Sequence, residues 1–158
     1  MPSRNKLTEW LVKDGSPQAT ANTAWAFAKL DIKAPNFFNA IEEQAEWLVK
    51  EGNSQTTANT AWAFAKLDIK APNFFNAIKE QAEWLEKEGS PQATANMAWA
   101  FAKLDIKAPN FFNAIKEQAE WLEQEGSPQA TANMAWAFAK LDIKAPNFFN
   151  TIDEQDDE

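Results

Sequence analysis

Four polar residues recur together every 37 residues, and their side chains are the ones with which this chain could bind a ligand. In the first set they are Gln18, Asn22, Lys29 and Lys33. On a helix the first three share one narrow strip with Trp25. Amide groups can read base edges, and lysines can neutralise the phosphates of a nucleic acid. The predicted binding set is Gln18, Asn22, Lys29, Lys33, Gln55, Asn59, Lys66, Lys70, Gln92, Asn96, Lys103, Lys107, Gln129, Asn133, Lys140 and Lys144.

Each of these positions also has a purely structural interpretation. Asn22 could hydrogen-bond to the backbone between adjacent repeats, and Lys29 could serve as an ordinary cation near a helix C-terminus. We expect Trp25 in the core, because its neighbours Ala21 and Ala28 are small residues typical of buried positions.

Catalytic chemistry has little support in the composition. The chain has no histidine and no cysteine, which excludes imidazole or thiolate metal sites and nucleophile–histidine pairs. The carboxylates of Glu42, Glu43 and Glu46 fall on the solvated face of a helix, and Glu42 is replaced by lysine at Lys79 and Lys116. We therefore expect no enzyme activity, no metal and no cofactor.

A period of 37 residues organises the whole chain. The four glycines, Gly15, Gly52, Gly89 and Gly126, share this spacing, and so do two sets of four tryptophans. Periods of this length are typical of stacked helical hairpins. We predict one all-α domain, an α-solenoid of helix-turn-helix repeats, divided into an N-terminal capping half-repeat (1–14) and repeats 15–51, 52–88, 89–125 and 126–158.

Two helices fit into each repeat. Helix A is expected to begin at Ser16-Pro17, an N-cap followed by proline at the first helical position, and to end near Leu30. Helix B is expected to run from Ala34-Pro35 to about Glu51, with Gly52 in the left-handed conformation after it. Short connections predict antiparallel neighbours.

Helix A is apolar around most of its circumference, so we expect it to be sandwiched between its neighbours. Met97 and Met134, which replace Thr23 and Thr60, are interpreted as core variation. Both ends of the array are expected to be closed, by a partial helix B at Leu7–Asp14 and by a polar last repeat with Asp156 and Glu158 at positions that are apolar elsewhere.

Charge is distributed unevenly along each repeat. The net charge of −8 argues mildly against a nucleic-acid partner. Helix A, however, carries lysine and no acid, while the acids concentrate on helix B.

No apolar run approaches the roughly 20 residues that cross a bilayer, and Met1–Lys6 contains no segment of signal-peptide type, so a soluble protein is expected.

The segment Ala21–Leu30, A-N-T-A-W-A-F-A-K-L, resembles the core of octotricopeptide repeats and the related heptatricopeptide repeats. Ala34–Phe38 occupies the place of that family's proline-rich helix opening. The resemblance implies pairs of helices that bind single-stranded RNA, with roughly one nucleotide per repeat along one face. The near-identity of the repeats is also typical of an engineered or consensus array, and a recent duplication or a fragment of a longer array is the alternative.

Two functions therefore stay open at this point. One is a non-catalytic module that binds single-stranded RNA along the stacked A helices. The other is a structural or protein–protein interaction scaffold without a nucleic-acid ligand. For either function we expect a monomer, with end-to-end stacking of copies as an alternative.

Overall fold

The computed structural model describes residues 4–82 and 87–154 of the chain. Throughout these two ranges the secondary structure is helical, without a β-strand, as the all-α solenoid class predicts. The elements are α1 (Arg4–Glu9), a π-helical turn (Trp10–Asp14), α2 (Pro17–Lys29), α3 (Pro35–Glu43), α4 (Ala45–Glu51), α5 (Ser54–Lys66), α6 (Pro72–Glu80), α7 (Pro91–Lys103), α8 (Pro109–Glu117), α9 (Ala119–Glu125), α10 (Pro128–Lys140) and α11 (Pro146–Asp153). None of them is long and apolar enough to cross a membrane.

Helix A (α2, α5, α7 and α10) begins and ends as its sequence predicts. The Ser16 hydroxyl accepts a hydrogen bond from the Ala19 N–H at 3.0 Å, and proline stands at the first helical position of α2. At the other end Asp31 is left-handed, with φ of 56°. The Ile32 N–H donates to Phe27 O at 2.8 Å and the Asp31 N–H to Ala28 O at 3.1 Å, a Schellman motif that satisfies the last carbonyls.

The glycines after helix B are not left-handed, so that prediction was wrong. Gly52 has φ of −83° and Gly126 has φ of −89°, both in extended backbone. Glycine is needed there for space. A Cβ on Gly52 would lie 2.7 Å from Leu48 O, and one on Gly126 would lie 2.6 Å from Leu122 O. The backbone thus turns tightly against the preceding helix, and a side chain would force it away.

Helix B is kinked where a single helix was expected. It consists of α3 and α4, with Gln44 between them at φ −108° and ψ 14°. The Gln44 N–H donates to Ala40 O at 3.1 Å and the Leu48 N–H donates to Gln44 O at 2.9 Å, so Gln44 joins the two halves through backbone hydrogen bonds. The second half, α4, packs against α6 of the next repeat.

Helix A forms the inner layer. Consecutive A helices pack against each other, in the order α2, α5, α7, α10. Small residues cover these contacting faces: Ala24, Ala61 and Ala98 are fully buried. Met97 and Met134 are also fully buried, which confirms their interpretation as core residues.

Phenylalanines join the inner layer to the outer one. Phe64 of α5 contacts Phe74 of its own helix B, with ring centroids 5.3 Å apart, and Phe38 of the preceding helix B at the same distance. The contact between Phe75 and Phe101 repeats this arrangement at 5.3 Å. A continuous row of rings therefore couples each repeat to the next.

Polar side chains add specific contacts between consecutive repeats. The Glu42 carboxylate accepts hydrogen bonds from the Asn73 N–H at 3.0 Å and the Phe74 N–H at 2.7 Å. It caps the N-terminus of α6, where a negative charge is favourable. The prediction that Glu42 is only a solvated surface acid was therefore wrong, although Lys79 and Lys116 stand at the same position in the later repeats.

The predicted closure of both ends is only partial. At the N-terminal end α1 and the π-helical turn pack against α3, as a capping segment should, but Leu30 of the first repeat is 69% exposed. At the other end Phe149 and Ile152 are exposed. The predicted polar positions Asp156 and Glu158 lie outside the described residues, and the boundaries of the predicted repeats remain predictions.

One carboxylate in α9 conflicts with its surroundings. Glu123 stands where the first two B segments carry Val12 and Val49, both fully buried. Its Oε2 is buried, without a hydrogen-bond partner among the described residues, and desolvation raises the pKa of this carboxyl. Because the raised pKa means that folding favours the protonated form, the ionised carboxylate lowers stability at neutral pH.

We expect Glu123→Val to raise the free energy of unfolding at pH 7 by about 1 kcal/mol, since it replaces this carboxylate with a buried apolar side chain. The gain should shrink as the pH falls through the raised pKa, because the wild-type carboxyl then becomes neutral. Thermal unfolding at pH 7 and pH 4, followed by circular dichroism, measures both quantities.

Glu125→Val is the matched control, since Glu125 lies on the same helix and is exposed. It should give little gain and little dependence on pH. An equal gain from both variants would contradict the assignment of the conflict to Glu123.

Candidate nucleic-acid interface

The predicted polar strip lies on the side of the inner layer opposite the outer helices. In α2, Phe27 points toward helix B, with its ring 5.2 Å from that of Phe37. Asn22 and Lys29 are about half a turn away from Phe27 around the helix and are exposed. We name the strip formed by Gln18, Asn22, Trp25, Lys29 and their equivalents in α5, α7 and α10 the A ridge.

Glutamine and asparagine pair along the A ridge. The Gln55 Nε2 donates to Asn59 Oδ1 at 3.3 Å, and the Gln129 Nε2 donates to Asn133 Oδ1 at 3.1 Å. All four glutamines are exposed, whereas Asn59, Asn96 and Asn133 are half-buried. The structural interpretation predicted hydrogen bonds from this asparagine to the backbone between adjacent repeats. In the described structure Asn59 and Asn133 instead bond to glutamine side chains on the A ridge.

The two predicted lysine rows differ. Lys29, Lys66, Lys103 and Lys140 are all exposed in the last turn of helix A. In the second row, the Lys33 Nζ donates to Leu67 O at 3.2 Å, and the Lys70 Nζ donates to Leu104 O at 3.0 Å. Both acceptors are C-cap carbonyls of the next helix A, where a cation is favourable. Lys33 and Lys70 therefore already bind the protein itself.

Tryptophans form a row along the A ridge, and the prediction that Trp25 lies in the core was wrong, although Trp62 and Trp99 do pack against the core. Trp25 is 46% exposed and Trp136 is 40% exposed, while Trp62 and Trp99 are half-buried. The rings of Trp25 and Trp62 stack at 6.4 Å between centroids and 27° between planes. A signal of exposure was the position of Trp25 beside Gln18, Asn22 and Lys29 on the helical wheel.

The A ridge thus combines amides, half-exposed indole rings and lysines on a surface without acidic residues in its helices. Indole faces can stack with bases, amides can hydrogen-bond to them, and ammonium groups attract phosphates. Residues 4–82 and 87–154 contain no group of three or more carboxylates placed to hold a metal ion. This surface can bind an anionic, aromatic polymer.

Because only the second lysine row bonds to the next helix A, we expect the two rows to contribute differently to stability. We expect Lys70→Ala to lower the free energy of unfolding by about 1 kcal/mol, because it removes a charged donor from the end of the next helix A. Urea denaturation measures the change.

Lys66→Ala is the control, because it removes the same charge four residues earlier from an exposed position on the A ridge. It should leave the urea midpoint nearly unchanged. If both variants lose the same stability, the Lys70 hydrogen bond has no special role.

The sequence model of a family described as RNA-editing substrate-binding complex 6 protein matches residues 4–150. No curated protein matches the chain significantly. The family match extends over almost all of the helical array, including every residue of the A ridge. The chain therefore belongs to the RNA-editing substrate-binding complex 6 protein family.

Proposed function

We propose that this chain is a non-catalytic helical-repeat module that binds single-stranded RNA along the A ridge. The observation that carries the proposal is the repetition of one set of amide, indole and ammonium groups on all four A helices. The family description, which names an RNA-editing complex, supports RNA as the ligand class. The octotricopeptide resemblance and a consensus-type origin remain predictions.

Charge supports a single-stranded nucleic acid despite the acidic total. The lysines of the A ridge are exposed and lie on a layer whose helices contain no acid. Most of the acids are on helix B, on the other side of the phenylalanine row, while each A–B turn carries one exposed aspartate two residues after the ridge lysine: Asp31, Asp68, Asp105 and Asp142. At physiological salt the screening length is about 8 Å, so a phosphate at the A ridge responds to the ridge lysines and to the charges of the A–B turns more than to helix B.

The indole rings supply the contact that a single strand needs. Bases of a single strand have free faces, and stacking of one base on an aromatic side chain contributes about 1–3 kcal/mol. Duplex RNA keeps its bases stacked on each other, so these rings would have no face to bind. The A ridge therefore favours single strands over duplexes.

Binding should depend steeply on salt if each ridge lysine neutralises one phosphate. Four such contacts predict that Kd rises about 50-fold between about 50 mM and about 200 mM salt. Changing Lys29, Lys66, Lys103 and Lys140 to glutamate should abolish binding. Fluorescence anisotropy with labelled 12-mers of A, U, C and G measures both effects.

The chain offers a charge-matched control for this experiment. Glutamate at Lys13, Lys50, Lys79 and Lys116 changes the net charge by the same amount, but these lysines belong to the B segments. This variant should retain most of the affinity. Equal loss in both variants, or no binding of the folded wild type to any 12-mer, would overturn the proposal.

Stacking of bases on the tryptophan row should make a second contribution to RNA affinity, which salt does not screen. Trp136→Leu should weaken RNA binding by about 5-fold or more, through lost stacking, while the slope of log Kd against log salt stays the same. The same anisotropy titrations provide the slope.

Trp121→Leu is the matched control, because Trp121 lies on the outer helix α9 and is 43% exposed, close to the exposure of Trp136. It should leave RNA affinity unchanged. A loss of affinity in Trp121→Leu as large as in Trp136→Leu would contradict stacking on the A ridge.

A protein-interaction scaffold is the second candidate. It is favoured by the exposed indole rings of Trp47 and Trp121 on the outer helices, which are apolar surfaces away from the A ridge. The family description names a complex, which is consistent with protein partners as well. Binding to such a partner would depend much less on salt than binding to RNA.

A further inference from the structure

The two ends of the inner layer expose the two halves of a contact that recurs inside the chain. In α2, the side that would meet a preceding helix A consists of Ala19, Thr23, Ala26 and Leu30, which we name the leading face. Its residues are half-buried or exposed, whereas their equivalents in the next helix, Thr56, Thr60, Ala63 and Leu67, are all buried.

The last helix A has the opposite side open. In α10 this side consists of Thr131, Ala132, Ala135 and Ala139, which we name the trailing face, and its residues are half-buried or exposed. The equivalent residues of α2, Thr20, Ala21, Ala24 and Ala28, are fully buried at the contact with α5. A trailing face and a leading face therefore bury each other at every A–A contact within the chain.

Two other contacts between consecutive repeats also lack one partner at each end of the array. Inside the chain, Phe112 of one repeat lies 5.6 Å from Phe138 of the next, but its last equivalent, Phe149, is 40% exposed. The Lys33 Nζ donates to Leu67 O of the next repeat. The last equivalent of Lys33 is Lys144, and the first equivalent of the acceptor is the carbonyl of Leu30.

We infer that the trailing face of one copy of this chain docks onto the leading face of another, head to tail. The docked pair reproduces the internal contact: alanine faces meet, Phe149 packs near Phe27 of the second copy, and Lys144 reaches the carbonyl of its Leu30. Because the two faces differ, the interface is heterologous, and each added copy presents a new trailing face.

The outer layers of the two copies overlap at the junction. Met1 precedes Phe149 by four periods of 37 residues, so residues 1–10 of the second copy fall on positions 149–158 of the first. Docking with Phe149 in place therefore requires the start of the second copy to move aside. The inner helices α10 and α2 have no such overlap.

Salt should promote this association. The contacting faces consist of alanine, threonine and leucine, while each copy carries a net charge of −8. Screening weakens the repulsion between copies and leaves the apolar contact intact. RNA binding along the A ridge has the opposite dependence on salt, so the two processes can be tested separately.

Sedimentation equilibrium from about 10 μM to about 1 mM, a range that covers the Kd values of small interfaces, tests the inference. At about 300 mM salt the wild type should exceed the single-chain mass of 17.8 kDa increasingly with concentration, without a plateau at the dimer. A single-chain mass over the whole range would overturn the inference.

Two variants test the direction of the contact. Ala26→Glu blocks the leading face, and Ala139→Glu blocks the trailing face; both alanines are exposed, so the single chain should fold normally. Each variant alone should remain a single chain. An equimolar mixture should form a 1:1 dimer and nothing larger, because one intact face of each kind remains.

Asn76→Glu, an exposed change on α6, should associate like the wild type. Circular dichroism of each variant verifies the helical fold. Self-association of either face variant at the level of the wild type, or failure of the folded pair to form the mixed dimer, would overturn the head-to-tail arrangement.

Discussion

The close contact between consecutive A helices is the interaction on which the other features of this structure depend. It is made by small side chains, such as Ala24, Ala61 and Ala98, which are fully buried. Small residues let two helices approach until their backbones nearly touch, and larger side chains would separate them. With both flanks covered in this way and the phenylalanine side facing helix B, α5 and α7 expose only the A ridge.

This packing has an energetic cost that the outer contacts help to offset. The hydroxyls of Thr20, Thr57 and Thr94 are buried at the A–A contacts, without a hydrogen-bond partner among the described residues. Each such group costs about 1–3 kcal/mol. The row of phenylalanine rings and the hydrogen bonds from Lys33 and Lys70 cross the same junctions and stabilise them. Stability therefore resides in contacts between repeats, as in other repeat arrays.

The periodic features of the sequence predicted the helices well, and the local backbone less well. Proline and serine at the start of helix A, and the apolar circumference of that helix, follow directly from residue type and spacing. The extended glycines did not follow, because glycine suits both a left-handed turn and a close backbone approach. The kink at Gln44 had no signal either, since neither proline nor glycine lies there.

The same distinction applies to the candidate site. The position of the A ridge was predictable from the helical wheel, because it depends on one helix alone. The wheel also placed Trp25 beside that strip, but the extent of its exposure was not predictable, since tryptophan is highly buried on average and its burial depends on how far the neighbouring helix covers it. The roles of Lys33 and Glu42 depend on contacts with residues more than 30 positions away, and a sequence of near-identical repeats does not reveal which repeat supplies the partner.

The A ridge has an amide edge at the start of each helix A and a lysine edge at its end. Gln18 and Lys29 are eleven residues apart, so the amide edge and the lysine edge are separated by about 16 Å. Trp25 lies four residues before Lys29, or about 6 Å along the axis, which is close to the distance between a phosphate and its base. An RNA strand that follows the proposed site would therefore run across the helices with its phosphates at the lysine edge and its bases over the tryptophans. Because every helix A points the same way relative to its neighbours, this arrangement holds in each repeat, and base and phosphate contacts come from different rows of side chains.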